Sequence, residues 1–292
     1  MTPELRHGLY AVAPEDMGVQ QYAPLSSKAE SAAEPSKSDT QQPQQAEAGK
    51  GGGKGKARPK LIPLEVQRLF ARLQMLQVQT ISTEDLTTKG FKWQDRDGRV
   101  QHDVHELNRL LIDALERSLA HTPSGAALIP TLYTGQATSR VTCLSCGRMS
   151  DRDEAFQDLM LMVNPGGDSD PDSNLVSALA EHIQPEAMVG ENQYWCERCD
   201  RKVDGERRQM LRELPPLLVF SLNRFQFDMK TMERVKVSAK FEFPLVLDTA
   251  PFVNDQDGLY DLLGVVLHRG SAYSGHYHAY IRDCLGEGAW SA

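Results

Sequence analysis

Two Cys-x-x-Cys pairs, Cys143-Leu-Ser-Cys146 and Cys196-Glu-Arg-Cys199, constrain this chain more than any other feature. Each presents two thiolates from one tight turn, and four thiolates close a tetrahedral zinc site with no outside ligand. The 49 residues between the pairs exclude a compact zinc ribbon. The halves must meet as the tips of two strand pairs lying side by side. With all four positions filled, the metal is structural and replaces a core that such thin hairpins cannot build. Two competing readings are four unrelated free cysteines and a redox pair, though a redox pair needs no twin. The fifth cysteine, Cys284, reads as a buried small hydrophobe. An odd count with two such pairs fits a reducing compartment better than a disulfide framework.

The charge balance narrows the partners. A net charge of −8 and a pI near 5.5 argue against a general nucleic-acid binder and suit a basic protein partner. No run approaches the roughly 18–20 apolar residues of a membrane helix. The opening "MTPELRHGLY" lacks the apolar core of a secretory signal. The expectation is a protein of the cytoplasm or nucleus, monomeric by default, with no membrane and no specific nucleic acid among its partners.

Composition changes abruptly along the chain. Residues 1–23 carry Leu5, Leu9, Tyr10, Val12 and Met17 but are too short to fold alone. From Pro24 to Lys60 there is no aromatic residue and almost nothing to bury, so the segment cannot offset its ordering entropy and reads as a disordered insert. Its basic end (Lys50, Lys54, Lys56, Arg58, Lys60) reads as part of a solubilising tether, with nuclear localisation or RNA contact as the alternative. In "LIPLEVQRLFARLQMLQ", Leu64, Val66, Leu69, Phe70, Leu73 and Leu76 recur at helical spacing. Ser82 and Asp85 suggest a short capped helix. "QHDVHELNRLLIDALERSL" puts Val104, Leu107, Leu111, Leu115 and Leu119 on one helical stripe. After Pro123 the rhythm becomes that of strands, from "LYTGQATSRVTCLSC" through "FEFPLVLD" to "SGHYHAYIRD", interrupted by a short helix in "SNLVSALAEHIQPE". Helices first and strands after make an α+β chain.

The stretch "GVVLHRGSAYSGHYHAYIRD" predicts an antiparallel hairpin, with Arg269 to Gly275 as the loop and His276 at the mouth of the returning strand. His276, His278 and Tyr280 then share one face. A histidine at a strand edge beside a glycine-containing loop is well placed as a general base. On these residues alone, an ordinary strand histidine is the commoner reading, and a metal role for the His-x-His pair lacks a third ligand.

"QHDVHELNRLL", "CLSC…CERC", "LPPLLVFSLNRFQFD", "FEFPLVLD" and "SGHYHAY" occur in an order and spacing that resemble the ubiquitin-specific proteases, a family of cysteine deubiquitinases. The resemblance implies a papain-like fold with a helical thumb, zinc-tipped fingers and an antiparallel palm sheet. It divides the chain into a thumb remnant (1–23), the insert (24–60), the thumb (61–125), the fingers with zinc (126–215) and the palm with its histidine (216–292). It implies hydrolysis at the ubiquitin C-terminus, with a thiol activated by an imidazole that an acid or amide orients. It assigns the base to His276 rather than His278, structural zinc to Cys143, Cys146, Cys196 and Cys199, and a grip on the arginines of the ubiquitin tail to Asp103 and Glu106. A solvated helix face is the competing reading for those two acids. Asn223 and Arg224 are expected in the palm frame.

Two parts of the family pattern have no counterpart here. Nothing resembles the family's Cys box, and "TPELRHGLY" matches the stretch just downstream of that box. Cys284 stands eight residues beyond His276 on one expected strand. That is about 26 Å at 3.3 Å per residue, far outside hydrogen-bond reach. The third catalytic residue comes after a "G-x-W" turn, and here "GEGAW" ends at Trp290. The expectation is a chain incomplete at both ends, inactive as it stands, belonging to a complete gene product that cleaves ubiquitin conjugates. The alternative is a non-catalytic ubiquitin-binding pseudoenzyme, against which an uncovered core costs roughly 1.5–3 kcal/mol for each apolar side chain. A zinc-dependent interaction module unrelated to ubiquitin is the third reading.

Overall fold

The structure, a computed structural model, describes residues 2–14, 16–17, 62–76, 80–93, 103–164, 173–253, 258–283 and 290–291. The expected insert and Cys284 lie outside the described residues.

A helical layer comes first. Helix α1 (Pro3–Tyr10) starts on Thr2, whose hydroxyl accepts from the Leu5 N–H, with Pro3 in the first turn, where its missing N–H costs nothing. Helices α2 (Ile62–Met75), α3 (Val104–Leu119) and α4 (Leu128–Tyr133) come next. They bury one cluster together: Leu5 and Leu9 from α1, Val66 and Phe70 from α2, Leu115 and Leu119 from α3, Ile129 from α4. The Gln67 side-chain amide donates to the carbonyls of Leu9 and Val12, tying α1 to α2 across more than fifty residues of sequence. Ser82 does cap, accepting from the Glu84 N–H at 3.1 Å, but the turn it opens widens into a π-helical stretch, Leu86–Gly90. Asp85 sits between Lys89 (2.7 Å) and Arg72 (3.1 Å), which together hold its carboxyl below the usual range.

The strand-rich remainder begins with β1 (Gly135–Cys143), β2 (Met149–Phe156) and β3 (Leu159–Met162). Helix α5 (Leu175–His182) is capped by the Asn174 side chain, which accepts from the Ser177 N–H. Then come β4 (Glu186–Met188), β5 (Tyr194–Cys196), β6 (Arg201–Val203) and β7 (Gly205–Glu213). An antiparallel sheet in the order β2-β1-β7-β4 packs its lower part, through Ala137 and Leu211, on Leu159, Leu161, Leu175 and Leu179. Next along the chain are β8 (Phe220–Asn223), β9 (Phe225–Asp228), β10 (Glu233–Lys236), β11 (Val246–Asp248) and β12 (Leu259–Asp261). The series ends with β13 (Gly264–Gly270), β14 (Gly275–Arg282) and β15 (Trp290–Ser291), in that order within one sheet.

Two expectations need correction. Leu132 and Tyr133, read as the start of a strand, finish α4 instead, because Tyr133 and Ile129 both insert into the helical cluster. The strands are not all antiparallel: β3 pairs in parallel with β8. The whole of β4–β7 lies between them, the long crossover that a parallel pair requires.

Candidate active site and metal centre

The two cysteine pairs form equivalent knuckles. In the first, Cys143 ends β1, the Gly147 N–H bonds the Cys143 carbonyl at 2.9 Å, and Gly147 adopts a left-handed φ of 70°. In the second, Cys196 ends β5, the Asp200 N–H bonds the Cys196 carbonyl at 2.9 Å, and Asp200 takes φ 51°. Glycine and aspartate are residues that reach this region at low cost. The knuckles face each other, with Cys143 Sγ 3.9 Å from Cys199 Sγ and Cys146 Sγ 3.8 Å from Cys196 Sγ. All four sulfurs lie within 4.8 Å of one another. A tetrahedral site with Zn–S bonds of about 2.3 Å has edges of about 3.8 Å, so the donor set fits zinc. A disulfide needs sulfurs about 2.05 Å apart, and these are not paired that way. Burial opposes ionisation of Cys143, but the N–H groups of Cys146 and Ser145 and the neighbouring thiols outweigh it and bring that thiol to about 6. An Arg148–Glu197 ion pair at 2.9 Å joins the knuckles on the outside. Cys143, Cys196 and Val203 make the small buried cluster that remains there.

The expected antiparallel hairpin forms, with Arg269 facing His276, Leu267 facing His278, and Val265 facing Tyr280. The first strand runs two residues further than expected, to Gly270, and the second starts one residue earlier, at Gly275, so only Ser271–Ser274 form the loop. That neck admits no side chain. Gly270 has φ 141°, and a Cβ there would come 2.4 Å from the Gly275 Cα; one on Gly275 would come 2.5 Å from the Arg269 carbonyl oxygen. His276 is exposed on a face it shares with Leu267, His278 and Tyr280, and His278 is engaged edge-on with Tyr280 at 5.7 Å.

The opposite face of the hairpin is the one packed against the rest of the chain. His268 packs against Tyr277 (4.7 Å between ring centres) and Phe225 (5.2 Å). The Lys236 ammonium donates to the carbonyls of His268 (2.9 Å) and Gly270 (3.2 Å), holding the neck from β10. The Tyr277 phenol lies close enough to the start of α3 for the Val104 N–H and the Asp103 carboxylate to act on it, which brings the N-terminus of α3 near the residue next to His276. Burial and the Lys236 charge depress the His268 imidazole, against the opposing pull of Asp103. Burial and the Asp103 charge raise the Tyr277 phenol.

Asp103 and Glu106 do not sit on successive turns of α3. Asp103 is the N-cap, in extended conformation, and its carboxylate accepts from the His105 N–H at 2.8 Å; Glu106 is exposed in the first turn. The residue types Asp-x-x-Glu suit a capping box, and that was the available signal. Arg224 serves the frame, its guanidinium donating to the carbonyls of Val237 (3.0 Å) and Ala239 (2.8 Å), and Asn223 reaches the Met162 sulfur at 3.4 Å. His268, Tyr277, Phe225 and Lys236 were not singled out from sequence. The alternation in "GVVLHRG" puts His268 on a definite face, but its neighbours follow only from the cross-strand register.

Paired cysteine knuckles, a helix N-terminus near a histidine hairpin and an α+β arrangement are what the structure shows, and the chain matches the family Ubiquitin carboxyl-terminal hydrolase over residues 17–291. It belongs to that family, in the papain-like ubiquitin-specific protease group of deubiquitinases. It is 37% identical over 295 residues to ubiquitin carboxyl-terminal hydrolase 40 of Mus musculus and of Homo sapiens, a match covering 99% of this chain and 21% of each relative. It is 33% identical over 287 residues to ubiquitin carboxyl-terminal hydrolase 47 of Xenopus tropicalis, over 78% of this chain and 21% of that protein. The chain thus spans about a fifth of the curated relatives it matches.

Proposed function

We propose that this protein acts on ubiquitin conjugates, and that the 292 residues supply the recognition surface and general base for hydrolysis at the ubiquitin C-terminus, without the thiol nucleophile. The reading rests on family membership together with one observation: the start of α3 lies near Tyr277, the residue after His276, close enough for Asp103 to act on its phenol. A ubiquitin tail lying along that junction would meet the Asp103 and Glu106 carboxylates with its arginines and bring its terminal carbonyl toward the exposed His276 imidazole. His276 would take the proton of an attacking thiol and return it to the leaving amine.

Four of the five cysteines form the knuckles, hold zinc in this reading, and have no part in that step. The segment boundaries read from sequence are proposed as an opening segment (1–23), insert (24–60), thumb (61–125), zinc fingers (126–215) and palm (216–292). Cytoplasm and nucleus, where ubiquitin conjugates and reduced thiols coexist, are the proposed locations.

Calorimetric titration with ubiquitin tests the reading. Glu106→Ala, which removes an exposed carboxylate and no core contact, is expected to weaken ubiquitin binding by roughly tenfold, from loss of a charge-assisted bond. The same variant should bind ubiquitin lacking its tail as weakly as the unaltered chain does. Equal affinity of both chains for intact ubiquitin would remove the proposed role of the acid pair.

A further inference from the structure

Helix α3 is tied to the strand-rich half by two side-chain bonds on one of its faces. His105 Nε2 lies 2.5 Å from Asp158 Oδ2, and Glu116 Oε2 accepts from Gln157 Nε2 at 2.8 Å. Eleven residues advance an α-helix by three turns plus about 20°, so His105 and Glu116 point the same way, about 16 Å apart. Their partners are consecutive residues in the link between β2 and β3. Asp158 also accepts from Ser221 Oγ on β8 at 3.2 Å. The carboxylate therefore joins three elements: α3, the β2–β3 link and β8.

His105 is held at both ends. Its backbone N–H bonds the Asp103 carboxylate at 2.8 Å, and its ring, with a side chain 21% exposed, bonds Asp158, 13% exposed. The residues on either side are the ones that matter for the tail: Val104 lies near the Tyr277 phenol of the hairpin, and Glu106 is the exposed acid. The long axis of α3 is fixed by its buried leucines, but those lie in its last two turns. Nothing apolar in the first turn is fully buried, so its placement depends on polar anchors.

We propose that His105 is a positioning residue: by bonding Asp158 it fixes the first turn of α3 against the hairpin, and so sets where Glu106 and Asp103 meet the ubiquitin tail. The inference rests on the ubiquitin reading for its ligand, and on the geometry alone for its structural half. A purely structural anchor would alter stability and binding alike in every background. A positioning residue acts only through the acid that it places.

The experiment titrates ubiquitin into the chain and its His105→Ala and His105→Gln variants, each with Glu106 intact or replaced by Ala. His105→Ala is expected to weaken binding about tenfold when Glu106 is present and by less than about threefold when it is absent. His105→Gln, whose amide can still donate to Asp158, is expected to stay within about threefold of the unaltered chain. An equal loss in both Glu106 backgrounds, or no loss at all, overturns the proposal. Hydrogen exchange separates this from failure of the ubiquitin reading. The Leu107 amide, bonded to the Asp103 carbonyl at 2.9 Å, should exchange at least about tenfold faster in His105→Ala, with Leu115 and Leu119 unchanged. Should the unaltered chain fail to bind ubiquitin, the ubiquitin reading falls. The positioning role then stands on a faster Leu107 amide and falls on an unchanged one.

Discussion

Replacing Cys143 by Ser, or stripping metal with a strong chelator, is expected to unfold both knuckles while leaving the helical layer intact. The reason is how little else holds them. Strands β5 and β6 pair over only three residues, and the buried apolar cluster around the sulfurs is little more than Val203 beside Cys143 and Cys196. Isolated two-stranded hairpins are marginal in water. Structural zinc in comparably small sites contributes apparent free energies of about 10–16 kcal/mol, more than the hairpins could supply by packing. The purified chain should therefore carry about one zinc, the ratio that four thiolates in one tetrahedral site dictate. On its removal, amides of Tyr194–Val203 and of the distal ends of β1 and β2 should lose protection against hydrogen exchange. Amides of α2 and α3 should keep theirs. A metal-free preparation with protected β5 and β6 amides would show that the sulfurs cluster without a metal.

A comparable loss of stability is expected from Leu115→Ala. Leu115 is fully buried on α3 and packs among residues from α1, α2 and α4, so the truncated side chain leaves a cavity bounded by four helices. Leucine-to-alanine changes at such sites cost about 2–5 kcal/mol, a large share of the roughly 5–15 kcal/mol that stabilises a domain. Leu115→Met, which nearly conserves volume, should cost less than about 1.5 kcal/mol. Urea denaturation of the three proteins decides it, and a cost below about 1 kcal/mol for the alanine variant would mean that the helices close over the gap. The two predictions concern different bodies of structure: the expected metal would hold one end of the strand-rich half, and apolar burial holds the helices.

Legibility in the sequence tracks the range of the interaction concerned. Helices α2 and α3 could be read because Val66, Phe70, Leu115 and Leu119 repeat at the helical period and meet one core. The knuckles could be read because two Cys-x-x-Cys turns can satisfy one ion only by meeting. The hairpin at His276 could be read from alternation and a glycine-containing loop, though not the exclusion of side chains at Gly270 and Gly275, which comes from the backbones closing to within contact. Strand β10 went unread, since "ERVK" has too few apolar residues to show a period, and its placement depends on pairing with β9. The parallel pairing of β3 with β8 joins residues about sixty apart and leaves no local mark. The same holds for His105 and Asp158, 53 residues apart, and for His268 beneath Tyr277. Asp103 was read from sequence for its charge alone. The structure gives it the cap and leaves the charge within range of His268 and Tyr277.

The most direct test is to incubate the 292-residue chain with ubiquitin carrying an electrophile in place of its terminal carboxylate, and to weigh the product. The account requires saturable, ubiquitin-competable association and no covalent adduct, because the four knuckle thiols sit together beside the ends of β1 and β5 while the proposed base, His276, stands on β14. An adduct on any of the five cysteines that disappears on His276→Ala would contradict it.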